Sequence, residues 1–203
     1  MTPRATKTPE EIAIAALKGL GIARARDLAD AGLDGKQITS LREAGVIEQV
    51  GRGLYRLPDS GVTEHHGLAL AGRKAPAGVV CLLSALRFHD LTSQAAYEVW
   101  LALPRAARIP KIDYPSLRVV RMSPDSIAFG MQEHVVENVP VLVFGPAKTV
   151  ADCFKFRNRV GLEVALEALK EFRANGGSMD ELWRAAEVCR VQRVMRPYME
   201  AIA

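Results

Sequence analysis

The sequence predicts an α+β protein, with an N-terminal winged helix-turn-helix followed by a mixed α/β domain that ends in a helical segment. Three observations predict it. Residues 8–58 read as three short helices and a hairpin, residues 79–144 hold short β-branched runs separated by Pro and Gly, and after Pro146 the apolar period becomes helical.

The first helix is predicted over Pro9 to Lys18. Thr8 caps it, Pro9 suits the first helical position, and Glu11 completes a capping box. Ile12, Ala16 and Leu17 form its apolar face, and Gly19 and Gly21 stop it. A second helix is expected from Ala23 to Ala31, with Leu28 inward and Gly32 at its end. Asp34 caps a third, Lys36 to Ala44, whose Ile38 and Leu41 face the core and whose Gly45 ends it. The hairpin pairs Ile47 to Val50 with Leu54 to Leu57 across Gly51-Arg52-Gly53, where two glycines permit the positive φ of a tight connection.

Three helices followed by a wing point to double-stranded DNA as the partner. In such a unit the last helix enters the major groove, so the side chains opposite Ile38 and Leu41 are the candidate base readers: Lys36, Gln37, Thr39 and Ser40. Lysine pairs with guanine edges and glutamine with adenine, whereas Arg24, Arg26 and Arg52 suit phosphates. Paired half-sites, an operator of inverted repeats, would engage two such units. The alternative is that these polar residues form an ordinary solvated face.

The chain has 203 residues, 49% hydrophobic and 25% charged, room for two compact units. Its longest apolar runs, Val79 to Leu83 and Val139 to Phe144, are too short to span a bilayer, and the N-terminus has no apolar signal core, so a cytoplasmic location is expected. Cys81, Cys153 and Cys189 are widely spaced among apolar neighbours and read as buried thiols. Net charge is +4; residues 1–58 carry 9 basic and 7 acidic groups and the remainder 18 and 16. With each part at only +2, DNA affinity depends on where the basic groups sit.

Pro58-Asp59-Ser60-Gly61 marks the boundary, placing one domain at 1–58 and another at 62–203. In the second, Thr63 caps a helix from Glu64 to Lys74, Val79 to Cys81 forms a buried strand, and a short helix covers Ser84 to His89. Strands follow at Glu98 to Leu103, Leu117 to Arg121, Glu133 to Val136 and Val139 to Phe144. Helices are expected at Ala147 to Phe154, Leu162 to Arg173, Asp180 to Val188 and Val191 to Ile202. Trp100, Phe154, Phe156 and Tyr198 read as core.

Catalytic patterns are weak, and no enzyme activity, metal site or cofactor is expected. Gly145-Pro146-Ala147-Lys148-Thr149 lacks the glycine before the lysine that a phosphate-binding loop needs. Gly177-Ser178 has no following Asp-x-Asp pair, and Ser178 with Glu181 makes a capping box instead. Ser84, His89 and Asp90 lack a nucleophile elbow, and the adjacent His65 and His66 diverge on a helix. A candidate functional surface in the second domain is the group Lys148, Asp152, Arg157, Arg159, Arg190, Arg193 and Arg196, whose spacing of three from Arg190 to Arg193 to Arg196 suggests one basic helical face. The competing reading is a set of internal ion pairs with Asp152, Glu163 or Glu187.

The segments VCLLSALRFHDL (80–91), EVWLALPRAARIP (98–110), DYPSLRVVR (113–121), GPAKTVADCFKFRNRVGLEVALEAL (145–169) and CRVQRVMRPYMEAI (189–202) together resemble the AbiEi family of antitoxin-type transcriptional regulators. The stretch from DLADAG to GRGLYRLP resembles that family's winged-helix domain. The resemblance implies an autorepressor and antitoxin of a type IV toxin–antitoxin system used in phage defence, which counters a nucleotidyltransferase toxin without a stable complex. A winged-helix regulator with no toxin partner would look the same, and a third possibility is an enzyme acting on nucleotides or RNA.

Overall fold

The computed structural model describes residues 7–202, so the first six residues of the 1–58 range and Ala203 lie outside the described residues. In helix α1 (Pro9–Leu20) the Thr8 hydroxyl accepts from the Glu11 amide while the Glu11 carboxylate accepts from the Thr8 amide. The buried line is Ala13 and Leu17, with Ile12 and Ala16 only half-buried at its margin. Strand β1 (Ala23–Arg24), α2 (Ala25–Asp30), α3 (Gly35–Glu43), β2 (Glu48–Gly51) and β3 (Leu54–Arg56) follow, and the three strands form a sheet in the order β1-β3-β2. Residues 23 and 24 are thus strand where helix was expected. The Arg24 amide donates to the Asp27 carboxylate at 2.7 Å, which starts the helix at Ala25 and leaves the extended backbone before it free to pair with β3. The hairpin has the expected connection, with Val50 as the extra residue of a bulge between Gln49 and Gly51.

The rest of the chain runs α4 (His66–Lys74), β4 (Val79–Val80), α5 (Leu82–Phe88), β5 (Val99–Pro104), β6 (Leu117–Met122), α6 (Pro124–Ala128), β7 (Met131–Val136), β8 (Val139–Phe144), α7 (Pro146–Lys155), α8 (Arg157–Val160), α9 (Leu162–Ala174), α10 (Met179–Cys189) and α11 (Gln192–Ala201). The five strands are ordered β6-β5-β4-β8-β7; β4 with β8 and β5 with β6 are parallel, the other neighbours antiparallel. Alternation along β5 shows why the central strands are apolar throughout. Trp100 and Ala102 enter the core layer shared with α7, α9 and α10, while Val99, Leu101 and Leu103 enter the layer under α4. Helix α4 starts at His66, later than expected, because Thr63 spends its amide and hydroxyl on Glu137. Helices α6 and α8 are too short to leave a periodic signal.

Helix α7 lies between the sheet and helices α9 and α10, and Val150 to Phe154 are all buried. Lys148 and Asp152, expected on a functional surface, are therefore interior, with side chains 1% and 0% exposed. They pair with each other, one turn apart. The Lys148 ammonium also sits 4.2 Å from the centre of the Phe144 ring, and the second oxygen of Asp152 accepts from the Cys189 thiol at 3.2 Å. Burial pushes the thiols of Cys81 and Cys153 well above their usual range and that of Cys189 up to about 12, so all three are the inert interior thiols that the sequence suggests.

A pair enclosed in this way is costly to break and cheap to replace. Asp152→Ala leaves a buried ammonium unpaired and is expected to lower stability by about 3–5 kcal/mol. Lys148→Met combined with Asp152→Leu should recover most of that loss. Urea unfolding checks both, and a double variant as unstable as Asp152→Ala would show that the pair does more than balance charge.

Candidate nucleic-acid interface

Buried Ile38 and Leu41 orient α3, leaving Lys36, Thr39, Ser40 and Glu43 exposed on its outward side. Gln37 stands apart from them. Half-buried at the flank, its side-chain oxygen accepts from the Asp34 amide at 2.9 Å while the Asp34 carboxylate accepts from the Gln37 amide at 2.8 Å. This is a capping box, and the spacing Asp34-x-x-Gln37 is its sequence signature. Gln37 is thus held as a helix cap, set back from the row of Lys36 and Ser40. The Thr39 hydroxyl donates to the Gly35 carbonyl at 2.9 Å, which commits its proton to the helix backbone. Arg42, not among the candidates that the sequence pattern singles out, donates to Gln49 at 3.2 Å and ties the end of α3 to the wing strand β2.

Arg52 is exposed at the wing tip, and Arg26 is exposed on α2 with only a loose approach to Asp27 at 3.9 Å. Arg24 is placed differently from its expected role at phosphate. Its guanidinium turns inward and donates through Nε at 2.7 Å to the Arg73 carbonyl at the end of α4. Arg73 in turn donates to Asp27 at 2.7 Å, and the Lys74 ammonium donates to the Arg52 carbonyl at 2.5 Å. The C-terminal end of α4 is clasped by the winged unit.

Lys74 carries the basic surface from the wing to the rest of the molecule. It lines a shallow cleft together with Leu103, Ala107, Arg108 and Lys111, the last three from the loop between β5 and β6. That loop holds Arg105, Arg108 and Lys111, and no carboxylate occurs between Val99 and Ile112. Arg121 donates to the carbonyls of Pro104 and Ala107, both at 2.7 Å, and so braces the loop from β6.

Of the C-terminal arginines, Arg193 and Arg196 share the exposed side of α11, and the others lie on separate elements. Arg157 donates to the Phe154 carbonyl at 3.0 Å, Arg159 lies 5.7 Å from the Phe156 ring centre, and Arg196 pairs with Glu200 at 2.7 Å. Arg190 caps α10 in the left-handed region with φ 59°, whereas Arg193 belongs to α11, so the spacing of three between them crosses a helix end. Ser84 accepts from the Trp100 amide at 2.9 Å and donates to the Glu98 carbonyl, which is a structural role. His89 bonds the Phe144 carbonyl at 2.8 Å, and burial lowers its pKa. Among the described residues no group of three or more His, Cys, Asp or Glu side chains could hold a metal, and no helix is long and apolar enough to cross a membrane.

The fold has a counterpart among solved structures: the RV2827C protein from Mycobacterium tuberculosis superimposes with a TM-score of 0.56 at 17% identity, over 87% of this chain and 71% of that one. No curated protein matches the chain. Residues 10–58, the winged helix from α1 through the hairpin, match the model of a family described as a transcriptional regulator, AbiEi antitoxin, which supports a regulator or antitoxin role.

Proposed function

We propose that this chain is a DNA-binding transcriptional repressor of its own operon and an antitoxin of the AbiEi kind, cytoplasmic and without enzymatic activity. The observation that carries the DNA reading is the chain of contacts along the wing: Arg42 of α3 bonds Gln49 of β2, and Lys74 bonds the Arg52 carbonyl at the wing tip and shares a cleft with Arg108 and Lys111. In this arrangement α3 enters the major groove with Lys36 and Ser40 foremost, while Arg26, Arg52 and the loop cations take phosphates on either side. Repeated half-sites would engage two copies.

The division of labour follows the boundary at residues 58–62. The part over 1–58 reads DNA, and the part over 62–203 adds phosphate contacts and counters a nucleotidyltransferase toxin, in a type IV phage-defence pair, without a stable complex. Support for the toxin link is the resemblance of residues 145–169 and 189–202 to the AbiEi antitoxin domain. A second reading, a winged-helix regulator with no toxin partner, is favoured by the confinement of the family match to residues 10–58. Inspection of the neighbouring gene for a nucleotidyltransferase, and co-expression with that protein where one is encoded, separate the two. Restored growth from a folded variant with Lys36 and Arg52 changed to Ala supports antitoxicity independent of DNA; no rescue by the unaltered chain, or no such neighbour, favours the plain regulator.

Lys36→Ala should narrow the preference for operator over scrambled duplex by about 1–3 kcal/mol, whereas Arg52→Ala should weaken both equally and lower the slope of log affinity against log salt by about one. Fluorescence anisotropy over a salt series measures both. An unchanged operator preference in Lys36→Ala would remove it from the base readers.

Changing Arg105, Arg108 and Lys111 together to Ala should lower that slope by about three, while changing Arg193 and Arg196 should leave it unaltered. The reverse result would return the second basic surface to the C-terminal helices.

A further inference from the structure

We propose that the turn between β7 and β8, Glu137-Asn138, is a positioning wedge for DNA binding: it fixes the winged unit at the angle where α3, the wing and the β5–β6 loop meet one duplex. The inference rests on the DNA reading above and assigns a role to residues outside the contact surface.

The turn is rigid. Glu137 and Asn138 both have positive φ, 51° and 61°, and they join the directly paired Val136 and Val139, the two-residue connection that matches strand twist. Its outer edge bears on the end of α1. The Glu137 carbonyl occupies the space where any side chain at residue 21 would begin: a Cβ built on Gly21 would stand 1.7 Å from that oxygen. Gly21 also has a φ of 63°, so glycine is required there on two independent grounds. Beside it the Asn138 side-chain amide donates to the Lys18 carbonyl at 3.3 Å.

The wedge is braced from behind by its own carboxylate. One oxygen of Glu137 accepts from the Thr63 amide at 2.7 Å and hydroxyl at 3.0 Å, and the other lies 2.6 Å from Nδ1 of His66. A single side chain therefore joins the connecting segment, the start of α4 and the turn. At the far end of α4 stands the clasp of Arg24, Asp27 and the Arg52 carbonyl on Arg73 and Lys74. Ile22 and Leu54 fill the apolar space with α4 and the sheet. An apolar contact alone lets two bodies rock; a stop at the α1 end and a clasp at the wing end leave one angle.

The test measures duplex binding by the full chain over a salt series, for Glu137→Ala, Glu137→Gln and Gly21→Ala, each alone and combined with the loop variant lacking Arg105, Arg108 and Lys111. Thermal melts establish that each variant is folded; Glu137→Ala serves where Gly21→Ala does not fold, and Glu137→Gln, which preserves shape, is the control expected to bind more nearly as the unaltered chain does. The expected result for Glu137→Ala is a roughly tenfold or greater loss of affinity and a salt slope shallower by about three, with no further loss when the loop cations are also removed. Binding by folded Glu137→Ala at the unaltered affinity and slope would overturn the wedge, as would losses that simply add to those of the loop. Absence of binding by the unaltered chain would overturn both this inference and the reading beneath it.

Discussion

Ile22 and Leu54 belong to the winged unit in sequence but are buried in the layer between the five-stranded sheet and α4, and the whole presentation of the molecule depends on that contact. Full burial of two such side chains is worth about 1.5–3 kcal/mol each, a substantial share of the marginal stability of a domain. Ile22 lies between Gly21, which admits the β7–β8 turn, and Ala23, which opens strand β1. Leu54 opens β3 and pairs with Arg24 across the small sheet. The residues that close the wing are thus the residues that seat it on the larger part, and the winged helix is not a freely tethered head.

Charge explains what that seating accomplishes. A net +4 over 203 residues is modest, and pairing removes several cations from any use in solution. Arg56 is bonded to Glu48, Arg73 to Asp27 and Lys148 to Asp152, while Arg24 is spent on a carbonyl. Among the described residues Lys36, Arg52, Arg108 and Lys111 have no ion pair. On the proposed DNA reading, with so small an excess, where the unpaired cations sit matters more than total charge, because each phosphate neutralised adds about one counterion to the salt dependence.

Features set by neighbours in the chain were legible in the sequence. Thr8-Pro9-Glu10-Glu11 marked a helix start at the right residue, Gly51-Arg52-Gly53 marked the wing, and the β-branched runs at 117–121 and 139–144 marked strands within a residue of their ends. What was hidden depends on partners distant in sequence. Ala23 and Arg24 become strand because β3, thirty residues on, offers an edge. Arg24 faces inward because the carbonyl that ends α4 is there to receive it. Lys148 and Asp152 carry charges that normally mark a surface, and only the packing of α9 and α10 over α7 shows that they satisfy each other in the interior. Gln37 differs from these. The spacing from Asp34 marks it as a cap in the sequence itself, beside the suitability of its amide for adenine.

Strand β8 connects the two ends of this design. At its start Val139 follows the Glu137-Asn138 turn that meets α1; at its end the Phe144 carbonyl receives the Thr149 hydroxyl at 3.0 Å and the His89 ring nitrogen at 2.8 Å, and the Phe144 ring lies against the Lys148 ammonium. Between those ends β8 is paired on both sides, to β4 and β7, so it cannot slide without breaking two ladders. The C-terminal helices that enclose Lys148 and Asp152 therefore support the surface that holds the wing in place, although none of them lies near it in the chain. On the proposed DNA reading, a loss of binding from a change in α7 or α10 is accordingly a loss of support, recognisable by a fall in stability alongside the fall in affinity, whereas a change at Lys36 or Arg52 is expected to alter affinity alone.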